Sequence, residues 1–103
     1  MITDSIKLIK NKKVQFYYEN GKCLVLNAEY IRACSPSAEN KNHAKNPDVK
    51  RFSGVEISKI EKVGNYALRF IFDDGHDTGI YSWEYIIEIS RLSWYFLNPL
   101  QVT

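Results

Sequence analysis

Cysteine is scarce in this chain: Cys23 and Cys34 are its only two. They allow one bridge at most, which excludes a disulfide scaffold. The start, Met1 to Lys7, has no apolar core behind basic residues, so no signal peptide is read and reduced thiols in the cytoplasm are expected. No apolar run approaches the roughly 20 residues needed to cross a bilayer, so no membrane role is expected. Charge of one sign is missing too. Fourteen Lys and Arg against twelve Asp and Glu leave a net charge of +2, too even for the basic face of a nucleic-acid binder. Glycine never clusters, so there is no phosphate-binding loop, and neither G-x-S-x-G nor H-E-x-x-H occurs.

What is present is core material. Hydrophobic residues make up 45% of 103 residues, enough for one domain spanning 1–103 with a packed interior. Ile6 and Leu8, then Val14, Phe16 and Tyr18, alternate with polar residues as half-buried strands do. Asn11-Lys12 and Asn20-Gly21 are placed as tight turns, and Cys23 to Leu26 completes a meander. Asn27 then caps a short helix, Ala28 to Ala33, with Glu29 in its first turn, and Ser35-Pro36 stops it. From Ser35 to Ser53 the chain is polar and rich in Asn and Lys, and it reads as a long loop.

Three more strands follow, Val55 to Val63, Tyr66 to Asp73 and His76 to Tyr81, joined at Gly64-Asn65 and Asp74-Gly75. A two-residue turn at Asp74-Gly75 sets Asp73 opposite His76 and Arg69 opposite Ile80 on a polar face that carries His76. It sets Tyr66, Leu68, Phe70 and Phe72 on a core face, with Phe70 covering Gly79. Ser82 caps a final helix from Trp83 to Leu97. Glu84, Glu88, Arg91 and Tyr95 form its polar stripe, and the rest is apolar. So wide an apolar surface predicts either deep packing or a partner. The fold class is therefore α+β: an antiparallel sheet of hairpins with a short helix after the third strand and a longer C-terminal helix.

Chemistry has few places to gather. Asp73-Asp74-Gly75-His76-Asp77 is the densest polar cluster, and carboxylate and imidazole are metal ligands or proton carriers. As a hairpin tip, the same residues serve turn geometry, and neighbouring strand residues such as His76 and Asp77 point to opposite faces. Cys34, His43 and His76 are the thiol and imidazole groups able to meet, one short of the four ligands of a structural zinc. Zinc is the metal they would hold; no cofactor is expected. A Cys–His nucleophile pair lacks any group to orient its base.

Two blocks carry a resemblance. One is Ile60 to Trp83, reading Asn65-Tyr66-Ala67-Leu68-Arg69-Phe70 and then Asp73-Asp74-Gly75-His76-Asp77-Thr78-Gly79-Ile80-Tyr81-Ser82-Trp83. The other is Ala28-Glu29-Tyr30-Ile31-Arg32 followed by Ser35-Pro36-Ser37-Ala38-Glu39. In this order they resemble the gamma-butyrobetaine hydroxylase-like N-terminal domain family, over roughly Ile6 to Leu92. The resemblance implies an antiparallel sheet flanked by helices. It also implies company: such domains stand alone in bacteria, precede the catalytic domain of gamma-butyrobetaine and trimethyllysine hydroxylases, and are appended to ATPases that handle iron–sulfur clusters. In the hydroxylases the domain is not catalytic and holds a structural zinc through three Cys and one His. His76 matches that His, while the Cys positions fall on Ser35, Ser37 and Asn40, none of them a thiolate donor. The resemblance thus implies a corner where Ser35, Ser37, Asp74 and Asp77 lie near His76 and local hydrogen bonds stand in for the metal.

The expected function is a non-catalytic accessory or binding module, linked to metal or iron–sulfur handling or to protein association. Its expected partner is another protein or a second copy, met through the C-terminal helix. The alternative is a small metal-binding protein or enzyme using His76 and the acidic hairpin tip.

Overall fold

A computed structural model describes residues 2–18, 21, 23–36 and 48–97. Strands form where the alternation places them: β1 (Ile2–Ile9), β2 (Lys13–Tyr18) and β3 (Cys23–Asn27) make an antiparallel sheet in that order. The turn between β1 and β2 lies one residue earlier than expected. Lys12 N–H donates to Ile9 O at 3.0 Å, and the central Lys10 and Asn11 take φ of 51° and 61°. A primed turn needs positive φ at both central positions, which places the bend. Of the Asn20-Gly21 turn, Asn20 lies outside the described residues.

α1 (Ala28–Ala33) follows β3 as the capping pattern predicts, with Asn27 Oδ1 accepting from Tyr30 N–H at 2.8 Å. The chain between α1 and the next strand is not loop throughout. Val49–Phe52 form a 3-10 turn, capped by Asp48, that packs on α1. β4 (Ile57–Val63), β5 (Ala67–Phe72) and β6 (Ile80–Ser82) form a second antiparallel sheet, and α2 (Trp83–Leu97) closes the order. Ser82 Oγ accepts from Tyr85 N–H at 3.1 Å, the cap expected for α2. The tip of the first hairpin anchors both halves: Lys12 O accepts from Ala28 N–H at 2.7 Å, and Asn11 O from Ile57 N–H at 2.8 Å.

The core lies between the inner faces of the sheets. Val14, Phe16 and Leu26 meet Ile57, Leu68, Phe70, Phe72 and Tyr81, with Ile86 and Ile89 of α2 and Tyr30 and Ile31 of α1. Each large side chain withdrawn from water there contributes about 1.5–3 kcal/mol. Tyr81 meets Phe70 edge to face, centroids 4.8 Å apart. The α2 residues Tyr85 and Ile87 are half-buried against this core, while Glu84, Glu88 and Arg91 face solvent. The apolar side of the described helix is therefore packed as far as Leu92; the side chains of Trp94, Tyr95, Phe96 and Leu97 are outside what is described. No helix is long and apolar enough to cross a membrane among the described residues.

The last hairpin departs from its expected register in an informative way. Leu68 faces Tyr81 and Arg69 faces Ile80, as alternation predicts. At the tip, however, Phe72 N–H donates to His76 O at 3.0 Å, so His76 stands opposite Phe72 rather than Asp73. Residues 76–79 thus span one position more than their partner strand, and β6 begins at Ile80 rather than His76. One slip of register turns a side chain to the other face. His76 is accordingly carried from the polar face to the side of Phe72, ring centroids 6.0 Å apart. Tyr66 is also corrected: it lies in the turn before β5, not on the core face, and is 61% exposed.

Candidate functional site: a closed serine–histidine corner

Where α1 ends, Ser35 meets the slipped hairpin. Ser35 Oγ and His76 Nε2 are 2.7 Å apart, a short hydrogen bond, and Ser35 is fully buried. Gly79 explains how the hydroxyl fits. A Cβ at residue 79 would lie 2.5 Å from Ser35 Oγ, 3.0 Å from Tyr81 Cε1 and 3.6 Å from Pro36 Cδ. The bare backbone of Gly79 is thus covered by Ser35, Pro36 and Tyr81, where Phe70 was expected.

Around this contact a ring of polar bonds ties α1 to the second half of the chain. Arg32 Nε donates to Asp74 Oδ2 at 2.9 Å, and its guanidinium lies 4.3 Å from the Phe52 ring centroid and 5.9 Å from that of Phe72. Asp74 Oδ1 accepts from the His76 backbone N–H at 3.1 Å. Partial burial opposes the Asp74 charge, but the His76 N–H and the Arg32 guanidinium prevail and hold its carboxyl below the usual value. Glu29 accepts from Gly54 N–H, closing the segment after the 3-10 turn onto α1.

Three tyrosine hydroxyls complete the frame. Tyr81 donates to Ile31 O, Tyr85 to Cys34 O and Tyr30 to Ile89 O. A six-residue helix leaves most of its terminal carbonyls unpaired, and two of these donors supply partners for Ile31 and Cys34. Burial pushes the titration of all three phenols upward, so each remains a donor.

The residues singled out from sequence separate into three groups. Ser35, His76 and Asp74 come together. Asp77 is exposed on the tip and makes none of these contacts. Ser37, Asn40 and His43 lie outside the described residues. Cys34 is buried in the core, and burial pushes its thiol up to about 12, the reverse of what a thiolate ligand or nucleophile needs. Among the described residues no group of three or more His, Cys, Asp and Glu is placed to share a metal.

The Ser35–His76 pair itself does not fit zinc. Two ligands of a tetrahedral zinc, each about 2 Å from the ion, stand roughly 3.3 Å apart. The 2.7 Å between Ser35 Oγ and His76 Nε2 is a direct hydrogen bond, and the nitrogen that would hold a metal faces the hydroxyl. Sequence reasoning missed Arg32, Phe52, Tyr81 and Tyr85 as parts of this corner. No periodicity could have joined the last two, because Tyr81 lies in β6 and Tyr85 in α2.

Two clefts open elsewhere. One of about 340 Å³ lies between the sheets, lined by Ile6, Leu8, Ile60, Lys62, Leu68 and Trp83. Another of about 240 Å³ lies beside Lys12, Lys13, Asn27, Glu29 and Gly54 to Glu56. Neither is lined by Ser35 or His76.

Two three-stranded antiparallel sheets with a short middle helix and a closing helix define an α+β domain. The chain belongs to the gamma-butyrobetaine hydroxylase-like N-terminal family, whose model matches residues 6–87. It is similar to a crystal structure, at 1.93 Å resolution, of a protein of unknown function in the DUF971 family from Acidithiobacillus ferrooxidans. That likeness has 26% identity and a TM-score of 0.68, over 84% of this chain and 89% of that one. Two proteins solved by NMR are also similar. One is 33% identical over 95% of this chain and 74% of its own, with a TM-score of 0.71. The other is 31% identical over 95% and 79%, with the same score. No curated protein matches.

Proposed function

We propose that this chain is a non-catalytic accessory module that acts by docking onto another protein. The observation that carries the reading is the closed corner: Ser35 is fully buried and its hydroxyl and the His76 Nε2 are joined to each other. The pair has the spacing of a nucleophile and its base, but a reacting carbonyl needs a path to the oxygen. Pro36, Gly79 and Tyr81 stand around that oxygen. A domain whose reactive groups point inward works through its surface. Free thiols at Cys23 and Cys34 suit a reducing, cytoplasmic setting. The resemblance to domains carried on hydroxylases and iron–sulfur ATPases supports a partner that handles a metal or cluster.

Two measurements test this. Activated esters such as p-nitrophenyl acetate should be hydrolysed no faster by the wild type than by S35A at equal melting temperature. A turnover lost in S35A would establish the enzymatic alternative. Native mass spectrometry of the chain with its cross-linked, identified and then purified partner should show a one-to-one complex. A dimer of the chain alone would move the reading to self-association.

A further inference from the structure

The two sheets treat their outer faces differently. On the second, Glu61 binds both neighbouring cations, Arg69 at 2.8 Å and Lys59 at 3.3 Å, so its cations are ion-paired within the face. On the first sheet, Lys7, Gln15 and Val25 lie in register across the three strands, and Ile9, Lys13 and Asn27 form the next row. The side chains between these positions, including Val14, Phe16 and Leu26, point into the core, so alternation turns both rows outward. Lys7 and Lys13 are exposed, Val25 is 47% exposed, and Lys10 and Lys12 extend the charge at the turn. None of these four lysines is ion-paired among the described residues; Glu29 and Glu56 line the cleft beside Lys12 and Lys13, and neither outward row holds a carboxylate.

Lys10 adds an observation of its own. Its φ of 51° is one that Gly or Asn adopts readily and Lys does not. A lysine stands where the turn itself favours another residue, which costs stability and sets its ammonium group at the tip of the hairpin.

We propose that the outer face of the first sheet is the docking surface for a protein segment carrying several carboxylates interleaved with apolar residues. The proposal rests on the docking reading above and gives it a surface and a partner chemistry. The four ammonium groups match the carboxylates, and Ile9 and Val25, one on each edge strand, offer separate apolar contacts to the interleaved residues. Single-stranded nucleic acid fits less well. Among its described residues the face holds no arginine and one aromatic ring, Tyr17, where base binding calls for a row of stacking platforms.

The test is a ¹⁵N NMR titration of the full chain, at low and physiological salt, with an eight-residue peptide alternating glutamate with leucine and phenylalanine. A single-stranded DNA octamer serves as competitor class. Shifts confined to β1, β2 and β3, with affinity falling as salt rises, are expected. K7S/K13S should weaken binding about tenfold at unchanged melting temperature. K10G should raise the melting temperature by a few degrees while weakening binding. Tighter binding of the DNA, shifts on the second sheet, or full affinity in K7S/K13S would each overturn the assignment. If K7S/K13S still forms the one-to-one complex with the purified partner, the surface is wrong and the docking module stands. If no complex forms with the wild type, the docking reading itself fails.

Discussion

Gly79 and Ser35 are matched as a missing and a present side chain: a Cβ at 79 would stand 2.5 Å from the Ser35 hydroxyl oxygen. The hydroxyl occupies the space in order to reach His76. G79A should therefore lower stability by about 1–3 kcal/mol through overpacking. Adding S35A should recover part of that loss, although Tyr81 Cε1 at 3.0 Å keeps the site tight. Urea denaturation of the two single variants and the double variant measures the coupling. Strict additivity would show that the two residues do not share this space.

How much of this was legible beforehand differs residue by residue. The caps at Asn27 and Ser82 could be read directly, because side-chain acceptors at helix starts obey a local rule. The inward rows of both sheets followed from alternation. The position of His76 was not read, because one extra residue between His76 and Ile80 reverses its face, and Gly79, a bulge signal within the expected strand, was assigned only a packing role. That Ser35 lies near His76 came from the likeness to a family, not from spacing. The stacking of Arg32 on Phe52 had no signal: Phe52 sits in an aperiodic polar stretch, and a 3-10 turn of four residues leaves no periodic trace.

Tyr85 pairs a carbonyl at the end of α1 that has no helical partner, that of Cys34. Y85F keeps the ring and removes the donor, leaving the carbonyl unsatisfied. The expected loss is about 1–1.5 kcal/mol. Thermal unfolding of Y85F beside wild type checks it, and an unchanged midpoint would mean that water replaces the phenol.

Asp74 gives the corner a dependence on acid. Its folded carboxyl titrates below the unfolded value, so its stabilisation is present above about pH 4 and is lost as pH falls through the folded value. D74N should be less stable than wild type by about 1 kcal/mol at pH 7. The difference should shrink below pH 4 and vanish once the native carboxyl is protonated. Stability curves from pH 2 to pH 8 for the two proteins test this. A gap that stays constant through the acid range would remove the carboxylate from the account.

The two thiols should respond very differently to modification. Cys23 is exposed, whereas Cys34 is buried with its titration pushed up to about 12. Ellman's reagent should therefore label one thiol promptly in the native protein and the second only as the chain unfolds. Rapid labelling of both would show that the end of α1 opens in the native state.

The phenol bonds from Tyr30, Tyr81 and Tyr85 join residues 50 to 59 positions apart. A helix of six residues does not persist in water without outside support. During synthesis, the ribosome therefore releases the first hairpin well before α1 has anything to hold it. The middle of the chain must wait for its last third, because a copy ending before Tyr81 lacks the residues that cover Tyr30 and Ile31.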